Sequence, residues 1–137
     1  MNRPTIVLAE DHAHVAVQLR RLLDSAFDVI AVVAHGEALV KASVRLMPDV
    51  VVADICMPGM DGLKAASELR RRQPSVGIVF VTVHDDPALA RKALGIGLGY
   101  VLKASAGEEL IDAVNAALVS RPFVSAALGP LDALLAG

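Results

Sequence analysis

The sequence predicts an α/β fold, a doubly wound five-stranded parallel sheet of strand order 2-1-3-4-5 with five helices. Two observations predict it. Five short apolar runs recur along the chain, and none alternates apolar with polar residues, as expected of strands buried on both faces. Between them lie segments whose apolar residues repeat at helical spacing. A β-α unit repeated five times gives a doubly wound sheet with right-handed crossovers.

The first run is Ile6–Ala9, followed by Val15, Leu19 and Leu22 on one helical face and Gln18 and Arg21 on another. The second run is Val29–Ala34, and Leu39, Ser43 and Leu46 mark the next helix. Met47-Pro48 stops that helix before the third run, Val50–Ala53. Asp61 reads as the cap of the third helix, and Gly62 as a backbone position that few residues tolerate. Leu63, Ala66 and Leu69 line this helix, whose C-terminus carries Arg70-Arg71-Arg72, cations that the macrodipole favours there. Gln73-Pro74 precedes the fourth run, Ile78–Val81. Asp86-Pro87 then places a capping carboxylate before a proline at the first helical position, and Gly95 and Gly97 end the helix. The fifth run is Leu98–Leu102, with Leu110, Val114 and Leu118 on the last helix.

Length and composition set the outer bounds. The chain has 137 residues, 55% of them hydrophobic and 20% charged, which suits one folded domain and excludes a disordered tail. We expect that domain over residues 1–120, with 121–137 as a linker or short C-terminal helix. A formal net charge of −2 and 3% aromatic residues leave neither the basic patch nor the stacking rings of a nucleic-acid surface. Cys56 is the single cysteine, so no internal disulfide forms and a reducing compartment fits. No window approaches the roughly 18 apolar residues of a membrane span, and the first apolar stretch is too short for a signal segment. The expectation is a cytoplasmic protein that does not engage a membrane.

The chemistry lies at the ends of the apolar runs. Glu10-Asp11 come after the first, Asp54 after the third, Thr82 after the fourth and Lys103 after the fifth. In a parallel sheet these carboxyl ends share one edge, where open α/β folds bind ligands. Two carboxylates about 4 Å apart repel by roughly 4 kcal/mol at an effective dielectric near 20. Lys103 supplies one compensating charge and leaves the group net negative. A divalent cation is the remedy, and hard oxygen donors suit Mg²⁺. No His or Cys spacing suggests zinc.

At these residues the chain closely resembles the receiver domain of bacterial two-component response regulators. The resemblance rests on Glu10-Asp11, Asp54, Met57-Pro58-Gly59-Met60-Asp61-Gly62, Thr82 and Gly99-Tyr100-Val101-Leu102-Lys103, and spans about residues 4–119. It implies a flavodoxin-like receiver fold, with Asp54 accepting a phosphoryl group from a sensor histidine kinase. It implies Mg²⁺ held by Glu10, Asp11, Asp54 and the backbone carbonyl of Cys56. Thr82 would meet the phosphoryl group, Lys103 would pair with one of its oxygens, and Tyr100 would turn inward. The outer face of helix four, strand five and helix five would change in response, which makes it the surface for a homodimer. Cys56 and His84 lie two positions beyond Asp54 and Thr82, where side chains influence phosphate lifetime. Such receivers catalyse their own phosphorylation and dephosphorylation without an external metabolite substrate. Two departures stand out: the acidic pair is Glu-Asp, and Gly95-Ile96-Gly97-Leu98-Gly99 replaces a less flexible turn. His12 and His14 read as surface or loop residues, since positions two apart on a helix face different ways.

The segment Arg121-Pro122-Phe123-Val124-Ser125 resembles the linker that precedes a LuxR-type helix-turn-helix, as does the run His84-Asp85-Asp86-Pro87. No recognition helix comes after it within the 137 residues. Leu128, Leu131, Leu134 and Leu135 suit a short helix that cannot fold alone. The leading expectation is a phosphorylation-dependent switch, as the receiver part of a transcription regulator or as a stand-alone receiver. A receiver-like module that takes no phosphate and a phosphohydrolase using Asp54 as nucleophile are the alternatives. Short loops leave the hydrolase no substrate cap.

Overall fold

The structure is a computed structural model and describes residues 2–136. Met1 and Gly137, the outer ends of the two expected segments, lie outside the described residues. In chain order the elements are β1 (Thr5–Ala9), α1 (Ala13–Asp24), β2 (Asp28–Val33), α2 (Gly36–Leu46), β3 (Val50–Ala53) and α3 (Gly62–Arg72). They continue with β4 (Gly77–Thr82), α4 (Pro87–Leu94), β5 (Gly99–Leu102), α5 (Ala106–Leu118), β6 (Phe123–Val124) and α6 (Leu131–Ala136). All strand pairs are parallel, in the order β2-β1-β3-β4-β5-β6.

The expected 2-1-3-4-5 order stands, with a sixth strand added beside β5. Two residues after a proline carry little apolar signal, so sequence pattern alone does not reveal β6. It forms because the edge of β5 presents unpaired backbone groups. Phe123 N donates to Leu98 O at 2.8 Å and Ser125 N to Tyr100 O at 2.9 Å.

Double winding shows in how strand residues divide. Val7, Val51, Ile78 and Phe80 pack toward α2, α3 and α4 with Leu39, Ala66, Leu69 and Ala93. Ile6, Leu8, Val52, Val79 and Val101 pack toward α1 and α5 with Leu19, Leu23, Leu110 and Val114. Strand side chains alternate between faces, so a sheet covered by helices on both sides needs apolar residues at every position. The central strands β3 and β4 are buried throughout.

Three details differ from the sequence reading. Strand β2 is an edge strand and only partly buried, so its apolar run does not mark a strand covered on both faces. Leu46 and Leu118 face solvent, and Val40 and Ala117 fill the core places nearby. Gly95 ends α4 in right-handed geometry, so the helix stops there without a left-handed glycine.

Caps match the sequence closely. Asp61 accepts from Lys64 N at 2.8 Å and Asp86 from Ala88 N at 2.9 Å, with Pro87 in the first helical turn. Gly62 is required by proximity. A Cβ there would meet the Asp54 carbonyl oxygen at 2.0 Å, so only glycine lets α3 begin against the Asp54 backbone.

Candidate functional site

Parallel pairing brings the strand ends to one edge. β1 leads into Glu10 and Asp11, β3 into Asp54 and β5 into Lys103, while β4 ends on Thr82. Glu10 N donates to Val33 O at 2.9 Å and Asp54 N to Ala9 O at 3.0 Å, so backbone bonds from neighbouring strands fix both acids.

Lys103 joins them. Its Nζ lies 2.6 Å from Glu10 Oε1 and 2.8 Å from Asp54 Oδ2. β5 stands two strands from β3 and three from β1. At about 4.8 Å per strand these are spans of roughly 10 and 14 Å, which call for a long flexible stem. Burial alone would lower the Lys103 pKa, yet the bonds to Asp54 and Glu10 outweigh it and raise the pKa above the ordinary lysine value. Burial likewise opposes charge on Glu10, but Lys103 and the His12 N–H together hold its carboxyl below the usual range. The pair therefore stands charged, as its geometry requires.

Among the described residues, Asp11 has no lysine or arginine beside it, only the His12 ring, whose Nδ1 lies 3.3 Å from Asp11 Oδ1. That Oδ1 is buried and makes no hydrogen bond. Ligand atoms of Glu10, Asp11, His12 and Asp54 all lie within 4.8 Å of one another. Three carboxylates with an orphaned buried oxygen form a donor set that fits a hard divalent cation. The sequence reading puts His12 on the surface, but the structure brings it into this group. Its Nδ1 lies 3.1 Å from Glu10 Oε2 and 3.3 Å from Asp11 Oδ1, while the ring stays largely exposed. Its position at the start of α1, two residues after Glu10, is the available signal. His14 remains exposed, as expected.

Thr82 is fully buried, and its Oγ1 accepts from His84 N at 3.2 Å. Tyr100 is also fully buried and donates its hydroxyl to His84 O at 2.6 Å. Burial, with the charges of Asp86 and Asp85 adding to it, pushes the Tyr100 pKa up to about 12, so the phenol keeps its proton for that bond. The ring thus occupies the inward position in this conformation. Cys56 and His84, each two residues past a site residue, meet directly, with Sγ and Nε2 3.2 Å apart. Burial first and the Asp54 charge second push the thiol of the exposed Cys56 up from its ordinary value. Cys56 N also donates to Asp54 Oδ1 at 3.2 Å.

Comparison with known families decides what this edge belongs to. The family described as "Response regulator receiver domain" matches residues 6–115. The chain belongs to this receiver-domain family. It is 32% identical over 123 residues to the response regulator GacA of Pseudomonas aeruginosa, covering 88% of this chain and 58% of GacA. Among solved structures it resembles a LuxR-family two-component response regulator from Aurantimonas sp. SI85-9A1, with a TM-score of 0.89 and 30% identity, covering 98% of this chain and 96% of that one. It also resembles the isolated receiver domain of RcsB from Salmonella enterica serovar Typhimurium, solved in the presence of phosphomimetic BeF3⁻. That match has a TM-score of 0.85 and 26% identity and covers 98% and 99% of the two chains. The chain spans 50% to 61% of the length of the first curated relatives it matches. Among the described residues, no helix is long and apolar enough to cross a membrane.

The receiver's acid group carries more negative charge than Lys103 offsets. Asp11→Asn should therefore raise thermal stability in chelator by about 1 kcal/mol, through relief of repulsion. A thermal melt checks this. Loss of stability in that variant would contradict the charge account.

Proposed function

We propose that this chain is a phosphorylation-dependent switch whose Asp54 accepts a phosphoryl group from a sensor histidine kinase. The observation that carries the reading is the Lys103–Asp54 contact of 2.8 Å at a strand edge shared with two further carboxylates. A carboxylate oxygen of Asp54 attacks phosphorus, the bond to the donor histidine breaks, and an acyl phosphate forms. Such transfer needs positioning and charge neutralisation more than covalent assistance. Lys103 is placed to track the new phosphoryl oxygens, and the Thr82 hydroxyl can hydrogen-bond to one of them.

Glu10, Asp11, Asp54 and the Cys56 carbonyl would hold Mg²⁺, the acid side chains by virtue of their donor set. Bound there, Mg²⁺ supplies the positive charge that phosphoryl transfer requires. Glu10 stands in place of a second aspartate, with Oε1 2.6 Å from Lys103 Nζ and Oε2 3.1 Å from His12 Nδ1.

Tyr100 is inward and bonded in this conformation. A phosphoryl group that draws Thr82 and Lys103 toward Asp54 would favour this arrangement over an outward ring, a population shift driven by one local charge. Residues 1–120 serve as the receiver unit, with 121–137 as a linker or short C-terminal helix. The family match and the likeness to curated response regulators support the receiver part of a transcription regulator, with the cytoplasm as its expected place. The second reading is a stand-alone receiver acting through protein contacts. A homodimer through the α4–β5–α5 face has to include β6 and α6, which lie on β5 and α4.

Incubation with Mg²⁺ and acetyl phosphate should give a phosphate adduct by intact mass. The adduct should be absent from Asp54→Asn and from samples with excess chelator. An adduct that persists in Asp54→Asn would refute the assignment. Cys56 and His84 set the phosphate lifetime, a reading supported by their positions two residues beyond Asp54 and Thr82 and by their mutual contact of 3.2 Å. Cys56→Ala and His84→Ala should each change the dephosphorylation rate by roughly 3- to 10-fold, since positioning of an attacking water is worth about 1 kcal/mol or more. Unchanged decay in both would remove them from that role.

A further inference from the structure

Ser125 is fully buried, although it belongs to the short segment after α5. Its hydroxyl makes two bonds. Oγ accepts from Leu102 N at 2.8 Å and donates to Glu109 Oε1 at 2.5 Å. The other Glu109 oxygen accepts from Ala126 N at 2.9 Å. Leu102 is the last residue of β5 and Glu109 lies in the first turn of α5. Lys103 sits between them, at the head of a 3-10 turn over Lys103–Ser105. One hydroxyl therefore closes a hydrogen-bonded ring around the turn that carries the lysine. The turn and the start of α5 have no side-chain cap of their own.

The same segment is anchored at two other places. Backbone bonds join Phe123 and Ser125 to Leu98 and Tyr100. Leu134 of α6 is buried in the cluster that holds Ala90, Ala93, Tyr100 and Leu102. Phe123, Ser125 and Leu134 thus pack on the strand that carries the inward tyrosine and leads directly into the lysine.

Resting on the phosphoacceptor reading of Asp54, we infer that Ser125 is a positioning residue for Lys103, and that docking of residues 121–136 is energetically coupled to phosphoryl binding at Asp54. The physical reason is shared structure. Without Ser125 the Leu102 N–H is left buried and unpaired, and β5 loses the restraint that aims Lys103 at Asp54 and Glu10. Conversely, a phosphoryl group that holds Lys103 in place restrains the ring from the other side and tightens the docked segment. Coupling of this kind is reciprocal: the factor by which docking strengthens ligand binding equals the factor by which ligand strengthens docking.

The test uses the full chain with Mg²⁺ and beryllofluoride as the phosphoryl mimic. Hydrogen exchange of residues 121–136 is measured together with the apparent beryllofluoride affinity. In the unmodified chain, loading should slow exchange in 121–136 by roughly 5- to 10-fold, the low end of ordinary site-to-site coupling. Ser125→Ala should speed that exchange and weaken beryllofluoride by a matching factor. Glu109→Ala leaves the buried serine in place and should act in the same direction, which keeps the test open if the serine variant folds poorly. Exchange in 121–136 that ignores loading overturns the coupling. So does an opened segment in both variants with beryllofluoride affinity unchanged, which would reduce Ser125 to a structural residue. Failure of the unmodified chain to bind beryllofluoride overturns the reading of Asp54 and the coupling with it, whereas binding with an indifferent segment overturns the coupling alone.

Discussion

Lys103 reaches across the end of the sheet to stand 2.6 Å from Glu10 and 2.8 Å from Asp54, and most of the site depends on that one cation between two acids. A buried carboxylate without a partner loses its charge or destabilises the fold. Glu10 keeps its charge because Lys103 and the His12 N–H stabilise it, and Asp54 is held ready by the same lysine and by Cys56 N. Asp11 is left over. One lysine cannot offset three carboxylates, and their clustered oxygens form a donor set that fits a hard cation.

The fold holds that imbalance in place. Its parallel strands put residues as distant in sequence as Glu10 and Lys103 on one edge, and the backbone bonds at Glu10 and Asp54 leave those residues little freedom. Gly62 brings the start of α3 against the Asp54 backbone, where a Cβ would collide with the carbonyl oxygen. The segment after α5 completes the frame. β6 satisfies the open edge of β5, and Ser125 ties the end of that strand to α5 on either side of the lysine. The acid edge and the outer face thus share β5 as their common structural part.

Much of this is legible in the residues. Val50–Ala53 and its neighbours form an unbroken apolar pattern that only a strand covered on both sides requires, and the acids, threonine and lysine each stand directly after such a run. Asp61 and Asp86 are readable as caps because a carboxylate at a helix start has one main use. The hidden part depends on three-dimensional proximity. His12 joins the acids through side-chain contacts just before α1, which periodicity does not encode. β6 is too short to leave a pattern, and the pairing of Ser125 with Glu109 crosses sixteen positions between residue types that are usually exposed. Leu46 and Leu118 mislead because helical spacing marks a face without fixing which of its end residues reaches the core.

The central claim is that charge at this edge is completed by a single divalent ion, and paramagnetic relaxation with Mn²⁺ in place of Mg²⁺ measures it most directly. Backbone amides of residues 10–12, 54–56 and 103 should broaden together and saturate at one ion per chain, with recovery on addition of excess Mg²⁺. Broadening that centres elsewhere on the surface, or that never saturates, would contradict the account.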